Sequence, residues 1–122
     1  MAKKILIVDD EPNIVISLEF LMKKEGFAVA VANDGDEALA LVASFDPDLL
    51  LLDVMMPKKS GFEVCEALRA DPERADLKIV MLTAKGRDTE MAKGLAIGAD
   101  AYVNKAFSTK ELVDKVKEML AV

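Results

Sequence analysis

Five short apolar runs punctuate the chain: Ile5–Val8, Phe27–Val31, Leu49–Leu52, Ile79–Leu82 and Ala101–Val103. Between them, and again after the last, apolar residues recur at helical spacing. Strict alternation of strand and helix predicts a parallel sheet with helices on both faces. The middle runs are apolar at every position, as strands buried on both sides must be. The expected fold is therefore α/β, a (βα)5 doubly wound five-stranded sheet.

Helix boundaries agree with this division. Pro12 suits a first helical position, where its missing N–H costs nothing. Ser60 to Glu63 and Ser108 to Glu111 both fit S-x-x-E capping boxes, and Gly26 and Gly98 stand where left-handed caps should close the first and fourth helices. In the last helix Leu112, Val113, Val116, Met119 and Leu120 form one apolar stripe. With 122 residues and no linker or repeat, the chain is expected to form a single domain over 1–122. No run approaches the roughly 18 apolar residues of a membrane helix, and no signal peptide is visible, so a soluble cytoplasmic protein is expected.

The lone Cys65 excludes an internal disulfide and lies among Phe62, Val64 and Leu68 in a helical pattern, which reads as a buried thiol. Sixteen basic against 22 acidic side chains give a net charge of −6, which disfavours direct nucleic-acid binding. There is no histidine, which removes Ser/His and Cys/His catalysis and imidazole-based zinc sites. Nor is there a GxxxxGK[ST] loop for a nucleotide.

Doubly wound sheets bind ligands beyond the carboxyl ends of their strands. There the sequence places Asp9 and Asp10 after strand 1, Asp53 after strand 3, Thr83 after strand 4 and Lys105 after strand 5. Each alone has an ordinary explanation: helix N-terminal acids, a turn hydroxyl, a solvated lysine. Asp53 resists one, because it ends a run of four leucines and the next helix starts only at Ser60. Three carboxylates on one rim repel unless a cation joins them. An oxygen-only set suits a hard ion, Mg²⁺ in cytoplasm. Such an arrangement leaves a carboxylate oxygen able to attack phosphorus, with the Lys105 ammonium and Thr83 hydroxyl meeting the phosphoryl oxygens.

Four stretches, "ILIVDDEP", "LLLLDVMMPKKSG", "IVMLTAK" and "GADAYVNKAF", occur in the order and spacing of a known family. The chain resembles the receiver domain of bacterial two-component response regulators along its whole length. That resemblance implies a flavodoxin-like fold with strand order 2-1-3-4-5 and a signalling switch rather than an enzyme. It makes Asp53 the phosphoacceptor for a sensor histidine kinase or histidine phosphotransfer protein. Asp10, Asp53 and the backbone carbonyl of Met55 would hold Mg²⁺, with Asp9 acting through water. Thr83 and Lys105 would contact the phosphoryl group. Tyr102 matches the aromatic switch position, and helix 4, strand 5 and helix 5 would pass the signal to a downstream protein or fused effector.

Two positions depart from the family pattern. Lys105 is followed by Ala106 rather than proline, and a cis bond before alanine costs roughly 3–4 kcal/mol, so a trans 105–106 bond is expected. Ala101 replaces an aspartate that many DNA-binding members use in a dimer salt bridge, so that dimer is not expected. No effector domain is expected after Val122, and the chain reads as a stand-alone receiver or one cut from a longer protein. On helix 1, Ile14, Leu18, Leu21 and Met22 should face the sheet. Ile16 and Phe20 then project outward, as ordinary surface scatter or as a docking patch for the kinase or phosphotransfer protein. Rival functions are a pseudo-receiver used only for binding, a haloacid-dehalogenase-type phosphatase and an FMN carrier. The phosphatase wants a second acid where Met55 stands, and "DDEPN" would repel the phosphate of FMN.

Overall fold

The computed structural model describes residues 3–56, 59–83, 88–104 and 108–121. Five strands alternate with five helices: β1 Lys4–Val8, α1 Pro12–Lys24, β2 Ala28–Ala32, α2 Gly35–Phe45, β3 Leu49–Asp53, α3 Gly61–Arg69, β4 Lys78–Thr83, α4 Asp88–Ile97, β5 Ala101–Asn104 and α5 Thr109–Leu120. All neighbouring strands are parallel, in the order β2-β1-β3-β4-β5. The doubly wound sheet and its flavodoxin-like order are as expected.

The boundaries moved slightly, and the shifts matter. Asp53 and Thr83 are the last residues of β3 and β4 rather than residues beyond them. Strand β2 runs one residue later than its apolar run suggested, because the Phe27 N–H closes the end of α1 on Met22 O instead of joining the ladder. A short 3₁₀ turn at Pro72–Arg74 was not anticipated.

Two apolar layers flank the sheet. On one face Leu6, Val8, Leu50 and Leu52 pack with Ala38 and Val42 of α2, and with Val64, Cys65 and Leu68 of α3. On the other, Ile5, Ile7, Leu49 and Leu51 pack with Leu18 and Met22 of α1 and with Leu112 and Val116 of α5. Every residue of β3 is buried, each leucine contributing about 1.5–3 kcal/mol. The helix 1 assignment holds: Ile14 and Leu21 pack against the second layer, whereas Ile16 and Phe20 are each 65% exposed. Cys65 is fully buried, and desolvation pushes its thiol above the ordinary range, against a smaller downward pull from Arg69.

Side-chain caps open α2, α3 and α5. Pro12 opens α1, and the Ser60 and Ser108 hydroxyls accept from the Glu63 and Glu111 N–H groups at 3.3 and 3.1 Å. Gly26 and Gly98 have φ of 91° and 131°, a region that glycine enters without steric cost.

At the amino ends of the strands, charges are matched. Arg69 Nε donates to Gly98 O at 2.7 Å, Nη1 to Arg74 O at 3.2 Å and Nη2 to Asp100 Oδ2 at 2.6 Å. Asp100 Oδ2 also accepts the Ile79 N–H at 2.8 Å. One partly buried guanidinium thus ties the end of α3 to the α4–β5 turn and, through Asp100, to the start of β4.

Candidate phosphoacceptor and metal site

At the opposite rim the carboxylates of Asp9, Asp10 and Asp53 converge. One oxygen from each lies within 4.8 Å of the others. Asp9 is fully buried and Asp53 is 2% exposed, while Asp10 faces solvent. Local geometry explains how the chain holds them there. Strands β1 and β3 are neighbours in register, Val8 opposite Leu52, so the residues that follow emerge side by side. Asp9 Oδ1 accepts the Glu11 N–H at 2.9 Å. Asp53 Oδ1 accepts the Met55 N–H at 3.3 Å. Each carboxylate is thereby oriented by the turn that follows it.

Thr83 belongs to the same rim. Asp53 pairs with Leu82 across β3 and β4, and Thr83 is one residue further on. Its hydroxyl is buried, and Oγ1 has no hydrogen-bond partner among the described residues. Asn104 sits opposite Thr83 on β5. The next residue in the chain is Lys105, so the expected phosphoryl contact and the Lys105-Ala106 peptide geometry lie outside the described residues.

Met55 is two residues beyond Asp53, with its side chain 65% exposed. Tyr102 lies on β5, paired with Met81 rather than with Thr83, and is 39% exposed. Its ring therefore faces outward in this conformation. Ile16 and Phe20 lie on α1, which opens three residues after Asp9.

Sequence reasoning missed the glycine that seats the loop after Asp53. The Gly61 N–H donates to Val54 O at 2.8 Å, closing the 54–60 loop. A Cβ on Gly61 would overlap the carbonyl oxygen of Asp53 and lie 2.9 Å from Val54 Cα. Only a residue without a side chain lets α3 start this close to the end of β3. The signal was present in "KKSG", but a glycine beside a capping serine reads as an ordinary turn.

The donor set suits a divalent hard cation. It offers oxygen only, clustered and mostly shielded from water, with neither imidazole nor thiolate within it. Bringing like charges this close is unfavourable unless positive charge joins them.

A family model for the response regulator receiver domain matches residues 5–117. The chain belongs to this family. Similar solved structures include a response regulator from Chloroflexus aurantiacus, 36% identical with a TM-score of 0.96, where the match covers 100% of both chains. The chemotaxis protein CheY4 of Vibrio cholerae is 30% identical with a TM-score of 0.91, covering 98% of this chain and 99% of that one. NtrX of Brucella abortus is 26% identical with a TM-score of 0.92, covering 99% of this chain but 27% of the longer NtrX chain. Receiver domains are signalling switches of two-component systems and bind Mg²⁺ at an acidic pocket, and this chain has a cluster of Asp9, Asp10 and Asp53 compatible with one. Among the described residues, no helix is long and apolar enough to cross a membrane.

Proposed function

We propose that the chain works as one receiver unit that accepts a phosphoryl group on Asp53 from a histidine kinase or histidine phosphotransfer protein. The observation that carries this reading is the convergence of three carboxylates at the carboxyl rim of a receiver-family sheet. A carboxylate oxygen of Asp53 attacks phosphorus, the bond from phosphorus to the donor nitrogen breaks, and the leaving imidazole takes up a proton. The product is an acyl phosphate on Asp53, which water can later hydrolyse.

Asp10, Asp53 and the Met55 carbonyl would hold Mg²⁺, with Asp9 acting through a water molecule. When bound, the ion neutralises charge on the phosphoryl oxygens. The Thr83 hydroxyl and the Lys105 ammonium meet the same oxygens from the protein side. Thr83 suits this role because its buried hydroxyl has a donor to offer. Movement of Thr83 toward the phosphoryl group leaves room for Tyr102 to turn inward. The surface of α4, β5 and α5 then changes for a downstream protein or a fused effector in the cytoplasm. Ile16 and Phe20 serve as the apolar part of the donor's docking surface.

The test is incubation with acetyl phosphate and Mg²⁺ followed by intact-mass measurement. A gain of one phosphoryl group that Asp53→Asn abolishes is expected. No gain in the wild type, or an equal gain in Asp53→Asn, would contradict the assignment. Turnover of free phosphoesters would point to a phosphatase instead. For docking, replacing Ile16 and Phe20 with serine should slow transfer from the protein donor and spare acetyl phosphate; equal slowing with both would remove that role.

A further inference from the structure

The loop that leads from Asp53 to α3 touches a helix that supplies none of the acids. Gly35, the first residue of α2, is buried, and a Cβ placed on it would overlap Lys59 Cβ. The same atom would lie 2.8 Å from Lys59 O and 3.1 Å from Val64 Cγ2. The bare face of Gly35 is therefore the surface on which the loop rests. A weak ion pair, Lys59 Nζ to Asp36 Oδ1 at 3.9 Å, lies beside the contact.

The helix side of this contact is rigid. Asp34 caps α2 by accepting the Glu37 N–H at 2.9 Å, and Glu37 Oε1 accepts the Asn33 N–H at 3.3 Å. Ala38 and Val42 anchor the helix in the core. The far end of the loop is pinned by Gly61 against Asp53 O and Val54. Added bulk at Gly35 therefore pushes on Lys59, four residues after the Met55 carbonyl.

We propose that Gly35 is a positioning residue for the divalent cation site, seating Lys59 so that the Met55 carbonyl is presented beside Asp53. This rests on the reading that Met55 O and the acid cluster hold Mg²⁺. Gly35 touches neither the ion nor the phosphoryl group and acts only through Lys59.

Titration calorimetry with Mg²⁺ alone tests it, on wild type, Gly35→Ala, Lys59→Gly and the double variant. Gly35→Ala should bind about tenfold more weakly, as loss of an orienting contact around a metal commonly does. Its unfolding midpoint in chelator should stay near the wild-type value, and its Met55 amide resonance should shift. Lys59→Gly removes the Cβ overlap but keeps the contact with Lys59 O, so the double variant should recover part of the affinity. Wild-type uptake with unchanged affinity in Gly35→Ala would overturn the bracing role alone, whereas no uptake by the wild type would overturn the metal-site reading beneath it. If Gly35→Ala does not fold, the double variant decides: it must fold and bind Mg²⁺ more weakly than Lys59→Gly, because the contact with Lys59 O remains, and failure to fold or equal affinity overturns the proposal.

Discussion

The two rims of this sheet are built on opposite electrostatic plans. At the amino ends of the strands, opposite charges meet, Asp100 with Arg69 and Asp46 with Arg74, and backbone N–H groups of Ile79 and Lys4 donate to Asp100 and Asp48 at 2.8 Å. At the carboxyl ends, three carboxylates crowd within 4.8 Å. The same strands, with the same apolar residues, run between them. The contrast separates what the fold needs from what the chemistry needs. One rim pairs its charges, and the other gathers three like charges where a cation could join them. Active sites commonly hold such unfavourable arrangements at a cost in stability.

The largest expected effect lies at the matched rim. Arg69→Ala removes three hydrogen bonds and leaves Asp100 partly buried without its cation. A loss of about 2–4 kcal/mol is expected in urea unfolding. A loss below about 0.5 kcal/mol would mean that the rim is a solvated surface pair like any other.

At the acidic rim the sign should reverse. Asp53→Asn keeps an acceptor for the Met55 N–H and deletes one of three like charges. In chelator, unfolding should require about 1 kcal/mol more than in the wild type. Destabilisation there would erase the contrast between the rims.

The smallest effect concerns Cys65, which is buried close enough to Arg69 and Asp100 for both to act on its thiol. Its folded pKa is raised, so the neutral thiol is favoured in the native state. Its contribution is complete below the unfolded thiol pKa and is lost as pH rises through the folded one. Alkaline titration of wild-type stability should therefore steepen relative to Cys65→Ala in the window between the unfolded and folded thiol pKa. Parallel curves would show that the thiol does not report on this rim. Thiol labelling near neutral pH should be slow, because the buried thiol is held neutral.

The frame of the molecule was legible because period and burial are local properties. The leucines of β3 could only be a buried strand, and an acid ending them had to mark a rim. That Asp9, Asp10, Asp53 and Thr83 share one rim followed from their places at the carboxyl ends of the strands, whereas the strand order came from the family resemblance. What could not be read was close tertiary approach. Nothing in "NDGDEA" indicates that Gly35 meets Lys59, and Arg69 and Asp100 are 31 residues apart. The shift of β2 by one residue was equally hidden, because Phe27 is apolar in either role and only its hydrogen bond to the end of α1 decides it. Thr83 and Asp53 were placed just beyond their strands because polar residues read as strand ends, although the ladder includes them.

The central claim is that the acid cluster is tolerated because a divalent cation joins it. Urea unfolding of wild type and Asp53→Asn, each in chelator and in saturating Mg²⁺, tests this in one experiment, since a ligand that binds only the native state adds to its unfolding free energy. In chelator the asparagine variant should be the more stable; magnesium should raise the wild type and leave the variant nearly unmoved, closing or inverting the gap. A wild type that gains nothing from magnesium, or a variant that gains as much, would contradict the account.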